Sequence, residues 1–214
     1  MLKPLALATS LALAAIAPLP AFAQVAAPSA EAADPAAGAF IEKLSSEAFA
    51  VLRDDSLSKQ ARKAKFRTML EQNVALADIG NRLIRRQRAT ITPAQYSAYQ
   101  AALPEFILNA YTDRLSAYEN ASVKVVRTVA RNSSVTDVYA KVSQPGQSPV
   151  DTIWQVKKTP GGKMMLSNLT ASGINLALTQ EADFNAYIQK NGFDALVAFL
   201  KTANSKSATA RAAS

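Results

Sequence analysis

The amino-acid sequence predicts an α+β fold, with a four-stranded twisted antiparallel sheet and helices packed on one face. Before Asn120, apolar residues recur at steps of three to four, which is the period of an amphipathic helix. After Asn120, β-branched runs alternate with short polar turns, which is typical of an antiparallel meander. Helical periodicity returns near the C-terminus. The order of helices, strands and helices favours one layered domain.

Four helical segments are expected before the strands, and two of their starts carry capping signals. Their predicted ranges are 39–52, 57–72, 73–88 and 93–119. Ser58 suits the N-cap of the second segment, since its hydroxyl can accept a hydrogen bond from a free backbone N–H group. Thr92 suits the N-cap of the fourth segment, and Pro93 suits its first helical position. Pro104 is expected to bend that long helix.

The strands are bounded by turn residues, and two helices follow them. The predicted strands are 122–130, 135–143, 150–158 and 163–171, and the predicted helices are 179–190 and 192–202. Gly173 is expected to close the sheet. Asn191 and Gly192 form a helix stop between the two last helices.

Residues 1–23 have the pattern of a secretory signal peptide. Lys3 provides a positive start, an apolar run follows, and Ala21, Phe22 and Ala23 form a cleavage signal, with the cut expected after Ala23. The chain contains no cysteine, which together with export suits a bacterial periplasm. Residues 24–39 are expected to form a flexible leader and residues 204–214 a disordered tail. A single domain over residues 40–203 remains.

The sequence lacks the residues that most enzyme sites require. It contains neither histidine nor cysteine, which excludes Ser-His-Asp and Cys-His sites and most zinc sites. It also lacks the glycine-rich phosphate-binding motifs. We therefore expect no catalytic residue, no metal and no cofactor. Asp78 is the first acidic residue to consider as a functional group, because it lies in an apolar helical stretch. Its expected role is a helix cap or an ion pair with Arg82 four residues later.

The net charge of +8 includes a dense arginine cluster. Its members are Arg82, Arg85, Arg86 and Arg88. The cluster could meet phospholipid headgroups or an acidic partner surface, or it could be a solvated helix end. A nucleic-acid partner is not expected, since an exported protein seldom meets nucleic acid.

Three stretches carry a resemblance to a known family. Residues 77–100, ADIGNRLIRRQRATITPAQYSAYQ, combine a glycine, basic residues and a helix start. Residues 102–125 combine an F…Y…L…Y pattern with the start of the first strand; the four residues are Phe106, Tyr111, Leu115 and Tyr118. Residues 166–200 combine a strand, a turn, a helix with an inward Phe184, and a second helix. In this order they resemble the MlaC family of periplasmic phospholipid-binding proteins, also called toluene-tolerance auxiliary ABC-transport components.

The chain departs from the family pattern at three places. Asn175 stands where the family usually has serine, and Glu181 stands where an arginine is common. Lys163 and Met164 replace a Trp-Lys pair. These departures bear on the subfamily and on the lipid that is bound.

The resemblance implies a lipid carrier with a nuclear transport factor 2-like fold that encloses an apolar cavity. Such proteins hold phospholipid acyl chains between the helices and the sheet. They shuttle lipid between an outer-membrane lipoprotein complex and an inner-membrane MCE–ABC transporter complex, which maintains outer-membrane lipid asymmetry. Three alternatives stay open: a carrier of another apolar lipid such as a hopanoid, a non-catalytic envelope scaffold, and a small hydrolase with convergent acids.

The resemblance and the apolar pattern together give a set of expected lipid contacts. They are Val74, Ile79, Leu83, Phe106, Tyr111, Leu115, Tyr118, Val125, Val138, Trp154, Val156, Leu169, Ile174, Leu176, Phe184 and Ile188. The strand members depend on register, because a slip of one residue reverses the face of every side chain. Arg82, Arg85, Arg86 and Arg88 are the candidates for headgroup or partner docking.

Overall fold

The computed structural model describes residues 34–115 and 118–212 and contains an α+β arrangement. In chain order the elements are α1 Pro35–Leu52, α2 Lys59–Asn73, α3 Leu76–Leu83, α4 Pro93–Leu115, β1 Ser122–Asn132, β2 Val135–Ser143, β3 Val150–Lys158, β4 Met164–Ala171, β5 Ile174–Asn175, α5 Leu176–Asn191 and α6 Phe193–Ala212. The strands form one sheet in the order β1-β2-β3-β4-β5, and neighbours are antiparallel. In this part of the chain, no helix is both long and apolar enough to cross a membrane.

The sheet has five strands, so the prediction of four is wrong. β4 turns back through Ser172 and Gly173, which have φ angles of 49° and 78°. Two consecutive left-handed residues match the twist of a tight hairpin. Ala171 then pairs with Ile174 in β5. β5 has only two residues, too few for a periodic signal, and its first residue directly follows the glycine that was expected to close the sheet.

Both ends of the folded domain extend further than the sequence predicted. α1 begins at Pro35, within the predicted leader, because Asp34 accepts a hydrogen bond from the Ala36 backbone N–H group at 3.0 Å. α6 continues to Ala212, through the predicted tail. There the side chain of Asn204 donates to the Ala102 carbonyl at 2.9 Å. The predicted signal peptide lies outside the described residues.

The predicted helix caps are confirmed. Ser58 accepts a hydrogen bond from the Ala61 N–H group at 3.1 Å. Thr92 accepts from the Gln95 N–H group at 3.2 Å, and the Gln95 side chain accepts from the Thr92 N–H group at 2.9 Å. This reciprocal pair is a capping box. Such caps depend on residues three apart, which is why the sequence could predict them.

α3 is shorter than predicted at both ends. Val74 forms a parallel bridge with Leu166 of β4, and the Ala75 N–H group donates to the Leu166 carbonyl at 2.8 Å. The chain therefore lies along the sheet edge before the helix begins. The helix ends at Leu83, and turns connect it to α4.

The sheet has one apolar face and one largely polar face. Val138 lies opposite Trp154, which lies opposite Leu169, so one row of apolar side chains crosses three strands. On the other face, the Arg127 guanidinium stacks over the Tyr139 ring at 3.6 Å, and Arg131 binds Asp137. The register thus divides apolar from charged residues as half-covered antiparallel sheets require.

Buried apolar residues form two separate clusters. The sheet cluster joins α1 to the apolar face of the sheet and contains Ala37, Ile41, Val138 and Val156. The helical cluster joins α3, the adjoining residue Ile84, α4, α5 and α6. It contains Leu83, Ile84, Tyr99, Ala102, Leu103, Ile107, Phe184, Phe193, Leu196, Val197 and Leu200. Burying each large apolar side chain stabilises the fold by about 1.5–3 kcal/mol.

Gly80 allows α3 to approach α4 closely. A Cβ atom there would lie 2.6 Å from Leu103 Cδ2, and Leu103 is itself buried. We expect Gly80→Val to lower the free energy of unfolding by about 1–3 kcal/mol, because overpacking displaces core side chains. Urea denaturation would measure this. Gly161→Val is the matched control, since a Cβ at Gly161 meets nothing within 4 Å. Equal stability of the two variants would contradict the packing argument.

Candidate functional site

The sheet brings five expected lipid contacts to one face. They are Val125, Val138, Trp154, Val156 and Leu169. The bulged Ser167 makes this possible at β4, because Gln155 pairs with Asn168 while Val156 pairs with Leu166. Val138 and Val156 are covered by protein neighbours, whereas the other three are only half-buried. The apolar face therefore combines a packed part with a less covered part.

Trp154 is held in place on this face by a buried hydroxyl. Its indole N–H group donates to the Thr152 hydroxyl at 2.9 Å, and that hydroxyl donates to the Ala140 carbonyl at 2.9 Å. Thr152 is buried. Because the polar end of the indole is satisfied, its ring can remain against apolar surroundings.

The helices bring a second group of candidates together in and beside the helical cluster. The Phe106 ring lies 6.2 Å from that of Phe184 and 5.9 Å from that of Phe199, in tilted geometry. Leu83 and Phe184 are buried within the helical cluster. Ile79, Phe106, Tyr111 and Ile188 are only partly buried against it. Burial raises the pKa of Tyr111, and this is partly opposed by the nearby charge of Arg114.

The two groups of candidates belong to different buried clusters. In the described part of the chain, α4 packs mainly against α2, α3 and α6. Half-buried apolar side chains border both clusters, on the sheet at Val125 and Trp154 and on the helices at Phe106 and Tyr111. Apolar surface that neither cluster covers suits an apolar ligand.

The remaining candidates lie at the edges of these groups. Val74 is at the β4 edge, Leu115 is the last residue of α4, and Leu176 is the first residue of α5. All three are half-buried. Tyr118 and Ile174 are 43% and 57% exposed, so the structure places them on the surface. Lipid contact by any of the sixteen residues stays a prediction.

Three of the four arginines in the cluster have a defined side-chain neighbour. Arg85 Nε lies 2.7 Å from Glu181 Oε1, and Arg86 Nε lies 3.7 Å from the same oxygen. The Arg88 guanidinium stacks over the Tyr96 ring at 3.7 Å. Arg82 is in the last turn of α3. Arg85 and Arg86 thus share Glu181, whereas Arg88 lies against Tyr96.

Arg85 and Arg86 form one side of a groove of about 280 Å³ against the outer face of α5. The groove is lined by Arg85, Arg86, Leu178, Glu181, Ala182, Asn185, Ala186 and Gln189. Sequence reasoning missed its α5 members, although their spacing marks one helical face. It noted Glu181 only as a departure from the family pattern. The contact with Arg85 joins residues far apart in the chain, so no local pattern could reveal it.

Asp78 has a different partner from the one expected. Its carboxylate accepts a hydrogen bond from Lys157 of β3 at 2.6 Å, instead of pairing with Arg82. Both side chains are partly exposed, so this ion pair contributes little to stability. Its effect is to connect the first turn of α3 with the sheet.

Comparison with known proteins agrees with this architecture. The family model described as MlaC protein matches residues 42–202. The chain belongs to the MlaC family. A solved structure of a phospholipid-binding protein from Ralstonia solanacearum, in complex with a phospholipid, is also similar. The TM-score is 0.68 at 21% sequence identity, over 80% of this chain and 98% of that chain. This likeness shows a shared fold.

The Thr152 hydroxyl can be tested as the anchor of Trp154. Thr152→Val keeps the side-chain shape but leaves the indole N–H group and the Ala140 carbonyl without this partner. We expect a loss of about 1–3 kcal/mol in the free energy of unfolding, together with a shift in tryptophan fluorescence. Trp154 is the only tryptophan of the chain, so the fluorescence reports on it directly. Thr170→Val in β4 is the matched control. An unchanged emission spectrum in Thr152→Val would exclude an anchoring role.

Proposed function

We propose that this MlaC family member is a phospholipid carrier that holds acyl chains between the sheet and the helices. The observation that carries the proposal is the pair of separate apolar clusters with half-buried apolar side chains bordering both. Phospholipid in the similar Ralstonia solanacearum structure supports the choice of ligand. The pocket is proposed as the apolar cavity of a nuclear transport factor 2-like fold.

Exposing the acyl chains of a phospholipid to water costs a large free energy, which a carrier avoids. Each methylene moved from water into an apolar environment gains about 0.8 kcal/mol, so one long acyl chain gains on the order of 10 kcal/mol. A lipid molecule therefore leaves a membrane slowly when no carrier covers its acyl chains. A protein that covers the chains removes this cost without making or breaking a bond, so the proposed role requires no catalytic residue and no cofactor.

The proposed cellular role is a lipid shuttle in the periplasm. Family membership and the signal-peptide pattern of residues 1–23 support this placement. The proposed partners are an outer-membrane lipoprotein complex and an inner-membrane MCE–ABC transporter complex. Exchange between them would serve outer-membrane lipid asymmetry.

The direct test is native mass spectrometry of residues 24–214, purified from a bacterial periplasm without detergent, followed by lipid extraction. We expect co-purified diacyl phospholipid, because the apolar surface between the clusters would be covered by acyl chains. Recovery of a hopanoid instead would identify the other carrier function. An apo mass that is unchanged after incubation with phospholipid vesicles would favour the envelope scaffold.

Substitutions that fill the pocket should reduce lipid occupancy without unfolding the protein. Ile79 and Leu115 are half-buried in α3 and α4, at the helical side of the proposed pocket. We expect Ile79→Trp and Leu115→Trp to weaken lipid binding, because overpacking that costs about 1–3 kcal/mol lowers affinity roughly 5- to 150-fold. Native mass spectrometry measures the occupancy, and circular dichroism measures the fold.

Val126→Trp is the matched control for these two variants. Val126 is 59% exposed and lies at an irregularity of edge strand β1. The Val126→Trp substitution introduces the same side chain at a position where no lipid contact is expected. Full occupancy in both pocket variants, with the fold retained, would argue against this pocket.

Trp154 offers a measurement that needs no substitution. As the only tryptophan, half-buried on the apolar sheet face, it should lie close to a bound acyl chain. We expect phospholipid with brominated chains to quench its fluorescence, since bromine quenches at short range. The same lipid without bromine is the control for any change in conformation. Lipid that binds without quenching would place the chains away from Trp154.

A further inference from the structure

The groove between α5 and the arginines has a preorganised set of charges. Glu181 is only 3% exposed, and its Oε1 atom binds Arg85 at 2.7 Å. Arg85 and Arg86 are 59% and 67% exposed, so both side chains remain accessible from solvent. A guanidinium that is already held by a carboxylate loses less freedom when it binds a second anion.

Buried polar groups in the lining of the groove and beside it are incompletely paired. Glu181 Oε2 is buried without a hydrogen-bond partner among the described residues. The neighbouring Asn185 accepts a hydrogen bond from Gln87 at 2.5 Å, while Gln87 Oε1 has no partner in the same part of the chain. A buried oxygen atom that accepts no hydrogen bond lowers the stability of the folded protein. Such oxygen atoms suit a ligand that also carries hydroxyl or ammonium donors.

The charge of the groove favours a monoanion. Its charged lining residues are two arginines and one glutamate, which give a net charge of +1. The attraction of a ligand to this charge grows in proportion to the charge of the ligand, whereas the cost of removing the ligand from water grows with its square. A phosphodiester carries one charge, but a phosphomonoester carries about −1.5 to −2 at pH 7. The diester is therefore the better match.

We infer that this groove binds a phosphodiester whose alcohol carries hydroxyl or ammonium groups, as in the headgroup of a phospholipid. Arg85 and Arg86 bind the phosphate, and Glu181 orients Arg85 and disfavours dianions. That the diester belongs to a lipid rests on the proposed function. α5 borders both regions, since Phe184 faces the helical cluster and Leu178 faces the groove.

The experiment uses ligands without acyl chains, so that only the groove is tested. The protein is titrated with glycerophosphoglycerol, a diester, with glycerol 3-phosphate, a monoester, and with inorganic phosphate. NMR follows the Nε–H signals of Arg85 and Arg86 and the side-chain amide of Gln189. We expect saturable shifts with the diester and weaker binding of the other two anions.

Variants identify the groups that bind. Arg86→Ala should weaken diester binding roughly tenfold, because a charge-assisted hydrogen bond is lost. Arg85→Lys retains the charge but loses the forked donor geometry, and should also weaken it. Glu181→Gln should strengthen monoester binding more than diester binding, since removing one negative charge relieves a dianion twice as much. The double substitution Lys201→Ala and Lys206→Ala is the control for general basicity, because both lysines are exposed on α6.

The outcomes separate the possible sources of binding. Equal shifts with inorganic phosphate and the diester would identify a general anion site and overturn the proposal. The proposal would also be overturned if the lysine double variant lost as much diester binding as the arginine variants. A complete lack of shifts with all three ligands would overturn it as well. Shifts that occur only with vesicles of anionic phospholipid would identify a membrane contact instead. Since the probes have no acyl chains, failure here leaves the carrier function intact, and failure of lipid co-purification leaves the groove intact.

Discussion

The register of the antiparallel sheet is the constraint on which the rest of the structure depends. Side chains alternate between the faces of a strand, so every strand must be aligned for Val138, Trp154 and Leu169 to share one row. Bulges at β1 and β4 keep that alignment while the strands curve. α1 can pack on the sheet only because this face is apolar, and Gly38 allows a close approach to β1, where a Cβ would lie 3.3 Å from Thr128.

α5 connects the parts that a lipid carrier would need to coordinate. Its N-cap, Asn175, is also the last residue of β5, so the helix begins directly at the sheet edge. Its inner face contributes Phe184 to the helical cluster, and its outer face contributes Glu181 to the basic groove. A change at the sheet edge would therefore affect both regions. This geometry gives a physical basis for proposing apolar and polar recognition on the two sides of one helix.

The sequence-based predictions were most accurate where the structure depends on residues close together in the chain. The caps at Ser58 and Thr92 join residues three apart, and both were predicted. The ends of β2 and β3 were also predicted, because polar turn residues bound both strands. The second strand of the last hairpin was missed, since two residues have no measurable period. The start of α1 was missed because its alanine-rich first turn resembles a flexible leader until its contacts with the sheet are known.

The sequence by itself determined the order of helices and strands, the apolar faces, the absence of histidine and cysteine chemistry, and the resemblance to the MlaC family. These properties depend on composition and on residues close together in the chain. The tertiary structure decided which apolar candidates are covered and which remain half-buried, that Asp78 pairs with Lys157, and that Glu181 holds Arg85. Those contacts join residues 79 and 96 apart in sequence. Their partners are set by how the sheet and helices pack, which no local pattern encodes.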